Sequence, residues 1–214
     1  EWIPRVNLPS AQGKQVHYVL VNDVASLLYL VNLGTITFHI WLSRLADLDR
    51  PDFVFFDIDR GKAAFTEVIE VAQTVRAVLK SERREAFVKT SGKTGLHLLV
   101  PWTAKGGYDE SRAWAIEVAD RAVQALPDRA TREVRKEKRG KRVYIDVMQN
   151  VRGHLAVAPY VLRAVPAASV STPLHWREVT DALDPAEFTI KTILNRLKRQ
   201  KTDPFADLVK LWNS

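Results

Sequence analysis

Asp57 and Asp59 close the aromatic, β-branched run Phe53–Asp59 (FVFFDID). Two residues apart on a strand, they share one face at a separation of about 6.5–7 Å. A buried apolar strand rarely ends in two ionised groups unless a cation compensates them, because unpaired buried charge is expensive. The pair therefore suits one or two hard divalent ions, although a solvated strand end with Arg60 as counter-charge explains it equally simply. Asp146 strengthens the metal reading, since it interrupts a second apolar run, Val143–Met148 (VYIDVM), that a sheet could lay beside the first. Three carboxylates around two divalent ions match phosphoryl transfer to a hydroxyl, one ion acidifying the attacking hydroxyl and the other neutralising the leaving pyrophosphate. The competing account pairs Asp146 with Arg142 or Arg163.

A second candidate is Lys89–Gly95 (KTSGKTG), with two glycines, three hydroxyls and two lysines. Its backbone N–H groups and side chains can cradle phosphates. It is not a P-loop, because the glycine spacing is wrong and Leu96–Val100 continues as strand where a helix would be needed. That disfavours a small-molecule kinase or NTPase and leaves an ordinary hairpin turn as the plain alternative. His39 and His97 lie among apolar neighbours, where core histidines are common, and no histidine pair has zinc-ligand spacing. Arg129–Arg142 carries eight basic and two acidic residues. It is either a solvated helix face or, given the overall charge, a contact for a phosphate-rich partner.

The elements that must position these groups follow from periodicity. Asp23 caps a short buried helix over Val24–Val31, which Asn32-Leu33-Gly34 ends, and Thr35–Trp41 follows as a strand. Phe53–Asp59 is a buried strand. Phe65, Val68, Ile69, Ala72, Val75 and Leu79 recur at helical spacing, giving an amphipathic helix over Ala63–Lys80. Ala86–Lys89 and Leu96–Pro101 form a hairpin-like unit about the phosphate turn, and a second long helix covers Asp109–Leu126. Val143–Met148, Leu155–Ala158 and Tyr160–Ala164 read as strands, Val165–Pro173 as loop, and Trp176–Leu183 and Thr189–Gln200 as helices. This mixture, with short turns favouring antiparallel pairing, predicts an α/β or α+β class.

Composition narrows the function classes. The 214 residues hold 32 Lys+Arg against 25 Asp+Glu, a formal charge of +7, and no cysteine. A disulfide scaffold, a thiolate zinc site and a cysteine nucleophile are excluded, and a reducing cytoplasm fits. Val24–Ser43 is uncharged for twenty residues, but its interior polar groups and alternating second half argue against a membrane span. No signal peptide is evident in the sequence given, so a soluble protein without a membrane partner is expected.

Taken in order, Phe56-Asp57-Ile58-Asp59, Lys89–His97, Tyr144-Ile145-Asp146 with Gln149-Asn150, Ala158–Ala164 (APYVLRA) and Val170–Trp176 (VSTPLHW) resemble five motifs of the polymerase domain of bacterial DNA ligase D. That domain is the non-homologous end-joining branch of the archaeo-eukaryotic primase superfamily. The resemblance implies a primase-like core, a mixed, mainly antiparallel sheet with an RRM-like half and flanking helices. It implies a single primase-polymerase domain over 1–214 from which the family's N-terminal region, with its phosphate-binding lysine and stacking aromatics, is missing.

It also implies roles. Asp57, Asp59 and Asp146 would be catalytic ligands of a two-metal Mn2+ or Mg2+ site. His39, Ser91, Gly92, Lys93, Thr94, His97 and Arg163 would bind the nucleoside triphosphate. Thr94 stands where relatives often carry a lysine, with Lys93 one position earlier, Arg60 where they carry proline, and Gln149 where some carry arginine. Arg135, Lys136, Lys138 and Arg139 are the candidate DNA contacts. The implied activity is extension of 3′-hydroxyl ends at breaks or gaps, with ready use of ribonucleotides. Partners would be DNA ends, gapped or primed DNA, and ligase and end-binding repair proteins, in the cytoplasm at the nucleoid. The rival is a non-catalytic nucleic-acid-binding module of the same fold.

Overall fold

The computed structural model describes residues 3–9 and 13–213. Its elements run β1 (Arg5–Pro9), β2 (Gln15–Val19), α1 (Val24–Asn32), β3 (His39–Trp41), β4 (Phe53–Asp59), α2 (Phe65–Ser81), β5 (Phe87–Thr90) and β6 (Leu96–Pro101). They continue with α3 (Tyr108–Ala125), β7 (Ala130–Thr131), β8 (Val143–Asp146), β9 (Leu155–Val157), β10 (Pro173–Leu174), α4 (Ile193–Arg199) and α5 (Ala206–Asn213).

The central sheet has the strand order β10-β5-β6-β4-β8-β7 and is antiparallel except for the β7–β8 pair. Alternation along β4 assigns its two faces. Val54, Phe56 and Ile58, with Val88, Leu98 and Ile145 of neighbouring strands, pack against the apolar stripes of α2 and α3. Burying each such side chain is worth about 1.5–3 kcal/mol, so the helices cover this face completely. The opposite face is divided. Phe53, Phe55, Phe87 and Leu99 form a smaller core with Leu42, Phe205 and Leu208, and beyond Phe55 the same face turns polar at Asp57 and Asp59. The two-stranded β3–β9 sheet stands over this polar end, and the β1–β2 hairpin pairs separately.

Most expected elements are present, with informative differences. The 24–31 helix forms, and the Asp23 carboxylate accepts the Ser26 N–H at 2.7 Å, but it is not buried. Val24, Leu28 and Val31 are 70%, 61% and 50% exposed, and Ser26 is its one buried residue among those described. The strand expected over Thr35–Trp41 contracts to β3. In place of a strand over Tyr160–Ala164 there is a single bridge, Leu162 to Val170, because this segment is held by a loop contact and has no partner strand. The Trp176–Leu183 helix is one 3-10 turn, Trp176–Glu178. The hairpin β1–β2, strand β10 beginning at the last residue of the expected 165–173 loop, and α5 were not expected. Among the described residues, no helix is long and apolar enough to cross a membrane.

Candidate active site

One rung of the sheet collects the titratable groups. Lys89 of β5 is opposite His97 of β6, His97 is opposite Asp57 of β4, and Asp57 is opposite Asp146 of β8. Directly opposed residues project on the same face with Cβ atoms about 4.5–5.5 Å apart, so four consecutive strands deliver four ionisable side chains to one row. Asp59 lies two residues along on that face, opposite Tyr144. The register therefore brings together the three acids that sequence spacing left 87 residues apart in the chain.

Their side chains are turned to different neighbours. The Asp57 carboxylate faces His97 Nε2 at 3.4 Å, Asp59 accepts the Gly61 N–H at 3.4 Å, and Asp146 accepts the Met148 N–H at 2.8 Å. In these orientations no three His, Asp or Glu side chains among the described residues are gathered closely enough to hold a metal ion. Backbone register and donor chemistry nonetheless fit a divalent cation: three hard oxygen donors share one face. Burial opposes the charge of Asp57, but His97, Lys89 and Arg163 beside it outweigh burial and hold its carboxyl below the usual range. Burial raises Asp146, the Asp57 charge adds to the rise, and the Met148 N–H acts against it. The two opposed carboxylates differ in proton affinity because the cationic neighbours stand beside Asp57, whereas Asp146 is buried against the Asp57 charge.

The rung opens into a cavity of about 300 Å³. Its walls are Phe55, Asp57, Asp59 and His97 from the sheet, Ser91, Lys93, Thr94 and Gly95 from the turn, His39 and Leu155–Val157 from the β3–β9 sheet, and Gln149 and Arg163. Of the residues assigned in advance to metal or nucleotide, all but Gly92 and Asp146 line it. A larger cavity, about 860 Å³, lies around α4 between Arg177, Glu187 and Lys201. None of Asp57, Asp59 and Asp146 lines it, and its Arg196 is already forked onto Glu178, so the smaller cavity is the candidate site.

The turn is built for close approach. Ser91 Oγ accepts the N–H groups of Lys93 (3.1 Å) and Gly95 (3.0 Å). A Cβ on Gly95 would lie 2.2 Å from the Ile58 carbonyl oxygen, so the turn sits directly on β4. Gly92, at φ +69°, leaves room for the Arg163 stem, whose Cγ would be 2.5 Å from an added Cβ. Arg163 thereby lines the cavity, and one of its guanidinium nitrogens, Nη1, is buried without a hydrogen-bond partner. Burial, then the charges of Arg163, Lys89 and Lys93, depress the His39 pKa. The turn side of the cavity thus carries the cations Lys93 and Arg163 opposite the carboxylates of Asp57 and Asp59, the electrostatics of an anion subsite beside a cation subsite.

Sequence reasoning missed three contributors. Lys89, quoted for the turn, is fully buried behind it. Ser171 holds it from β10's side, and Asn150 braces β4. The signal for Lys89 was a lysine inside an apolar strand, Phe87-Val88-Lys89.

The basic run divides into two halves. Arg129 pairs with Glu67 and Glu70, Arg132 with Asp120, and Arg142 caps the Lys138 and Arg139 carbonyls. Arg139 departs from the expected DNA contact: it is 9% exposed, its guanidinium donates to the carbonyls of Glu133 and Val134, and it stacks 3.5 Å over Tyr144. Its place is to brace the strand bearing Asp146. Arg135, Lys136 and Lys138 are exposed.

Comparison with known proteins gives the family and the fold. The family described as "LigD, primase-polymerase domain" matches residues 1–205. The chain belongs to that family. It is 32% identical over 190 residues to the multifunctional non-homologous end joining protein LigD of Pseudomonas aeruginosa, and 29% identical over 195 residues to the bifunctional LigD of Bacillus subtilis. These alignments take in 87% and 90% of this chain but 22% and 32% of those proteins, so the chain spans about a fifth to a third of those relatives. The structure of the polymerase domain of Mycobacterium tuberculosis ligase D in complex with DNA superposes with a TM-score of 0.85 at 25% identity, covering 93% of this chain and 72% of that one. The primase-polymerase fold expected from the five motifs is therefore the fold observed.

Proposed function

We propose that this LigD-type domain is a metal-dependent nucleotidyltransferase that extends 3′-hydroxyl ends at DNA breaks or gaps, accepts ribonucleotides readily, and serves non-homologous end joining. The observation that carries this reading is the juxtaposition of Asp57 and Asp59, beside Asp146 on the same sheet face, with the unsatisfied Arg163 guanidinium across one cavity. Acids that gather cations beside cations that gather anions suit a metal–triphosphate complex better than either ligand alone. Asp57, Asp59 and Asp146 would hold Mg2+ or Mn2+, which when bound supplies Lewis acidity toward the attacking hydroxyl and the departing pyrophosphate. Arg163, Ser91, His97 and the Gly92–Gly95 backbone would orient the triphosphate, with His39 and Lys93 adding charge at the mouth. Holding the phosphates by preorganised donors in a partly dry cavity is where most of the protein's catalytic contribution would arise. Arg135, Lys136 and Lys138 would meet the DNA backbone beside β8. Ligase and end-binding proteins would be partners, with the nucleoid as location.

Incubating the chain with a primed, gapped duplex, labelled nucleotide and manganese tests this. Primer lengthening is expected, and Asp57→Ala/Asp59→Ala should abolish it while DNA affinity stays near that of the parent. A gel shift without lengthening would replace the proposal with a binding module, and an active double variant would remove the metal assignment.

A further inference from the structure

Lys89 is fully buried in mid-strand, where a lysine costs several kcal/mol unless its donors are used. It does not line the cavity and so cannot touch what the cavity holds. Its Nζ lies 2.8 Å from His97 Nδ1 and 2.6 Å from Ser171 Oγ. Ser171 Oγ in turn donates to the Thr90 carbonyl at 2.8 Å, which fixes its proton on that side and leaves it only as an acceptor toward Lys89. The register positions all three: Lys89 is opposite His97 on one side and Pro173 on the other.

This arrangement determines which nitrogen of His97 carries hydrogen. Burial lowers the Lys89 pKa to about 7; below that pH it is an ammonium, which has donors only, so Nδ1 must accept from it. The far nitrogen, Nε2, faces the Asp57 carboxylate at 3.4 Å, which also demands a donor there. Both neighbours select the same tautomer.

We propose that Lys89 is a positioning residue that locks His97 in the Nε2–H tautomer, so that the imidazole presents a fixed donor to the cavity. Lys89 thus acts on the bound nucleotide through His97, without contact of its own. The assignment rests on the reading of the cavity as a nucleotide site, but the tautomer itself belongs to the ligand-free protein. Ser171 shares in it by anchoring the lysine, so Ser171→Ala should weaken the lock without removing the donor.

Long-range proton–nitrogen NMR of the ligand-free parent should show His97 with Nδ1 as acceptor and Nε2 protonated. In Lys89→Met that preference should fade. In primer extension, Lys89→Met should raise the nucleotide KM about tenfold or more while kcat changes less, the size expected when one hydrogen bond to a charged group is lost. Ser171→Ala should fall between variant and parent in both measurements. A parent His97 protonated on Nδ1 overturns the proposal whether or not any variant folds. So does an unchanged nucleotide KM in a folded Lys89→Met. A Lys89-dependent tautomer in a chain that never lengthens a primer would refute the polymerase reading and leave the hold of Lys89 on His97 standing.

Discussion

Asn150 offers the sharpest test of how the acidic rung is held. Strand β8 pairs with β4 only across Asp57–Asp59, so Phe55, two residues back, has no strand partner on that side. The Asn150 side chain, 1% exposed, takes the vacant place: Oδ1 accepts the Phe55 N–H at 2.8 Å and Nδ2 donates to the Phe55 carbonyl at 2.8 Å and the Val147 carbonyl at 2.8 Å. Asn150→Ala strips partners from three backbone groups. The Val147 carbonyl keeps the Asn150 N–H at 3.2 Å, leaving two orphans. At about 1–3 kcal/mol for each buried unsatisfied group, the expected loss is about 2–6 kcal/mol. For a chain of this size about 1 kcal/mol lowers Tm by about 2–4 °C, so a drop of at least 4 °C is expected in a thermal melt. Urea titration should show the same loss as a shifted midpoint with little change in slope. Asn150→Asp should be at least as damaging, since a carboxylate cannot donate to the Phe55 carbonyl and places charge against it. A loss below about 1 kcal/mol would mean that water or the 147–151 turn supplies the missing partners, and the bracing argument would be wrong.

Other consequences are open to simpler measurements. Arg163→Ala should raise the nucleotide KM roughly 10- to 150-fold, corresponding to about 1.5–3 kcal/mol for a charge-assisted hydrogen bond to phosphate; unchanged steady-state kinetics would return Arg163 to a packing role. If Arg135 and Lys138 neutralise DNA phosphates, Arg135→Ala/Lys138→Ala should flatten the log affinity against log salt slope for duplex DNA by nearly two, at about 0.9 per contact, whereas parallel lines would place the duplex on another face. Glu178 ties Trp176–Glu178 to α4: burial works against its charge, but the Arg196 fork at 2.7 and 3.0 Å and the His175 N–H at 2.7 Å hold its carboxyl below the ordinary 4.5. Below 4.5 the unfolded chain then binds the proton more readily than the folded one, so this contribution to stability is present above 4.5 and is lost as pH falls through the folded value. Acid titration of Glu178→Gln should accordingly show a shallower fall than the parent, and superimposable acid limbs would count against the pair.

What could be read without coordinates depended on whether local signals sufficed. Strands β4 and β6 end where expected, at Phe53–Asp59 and Leu96–Pro101, because continuous apolar runs stop at turn chemistry. Helix α2 was legible because a 3.6-residue stripe over five turns has no strand equivalent. Helix α1 shows the limit: VASLLYLV forms its helix, yet apolar density says nothing about whether another surface arrives to cover it. Hairpin β1–β2 was missed although Val6, Leu8, Val16 and Tyr18 alternate, since four half-buried positions are too few to outweigh the intervening polar residues. In the site, residue types were legible and neighbours were not. That Asp146 stands opposite Asp57 depends on β8 returning beside β4 after α2, the β5–β6 hairpin and α3, a pairing with no local trace.

The rung also explains why the acids stood out in the sequence at all. Opposed like charges weaken an antiparallel pair by a few tenths to about 1 kcal/mol, and Lys89 adds the cost of a buried cation on the same row. A fold selected for stability alone would fill positions 57, 89, 97 and 146 with the valines and leucines that occupy the other face of the same strands, where Val88, Leu98, Phe56 and Ile145 close the core without penalty. The polar row is confined to one face, to one end of the strands, and to the stretch where the smaller core stops at Phe55. Its cost is tolerable there because His97 Nε2 faces the Asp57 carboxylate, Lys89 is satisfied by Ser171, and Asp146 takes a backbone N–H. What remains uncompensated is one carboxylate too many on the β8 side and one guanidinium nitrogen without a partner on the turn side. Those two residual imbalances have opposite sign, and Asp57 and Asp59 of the acidic cluster line the same cavity as Arg163, so a ligand carrying both a divalent cation and an anionic chain would relieve them together, and neither a cation nor an anion alone would relieve both.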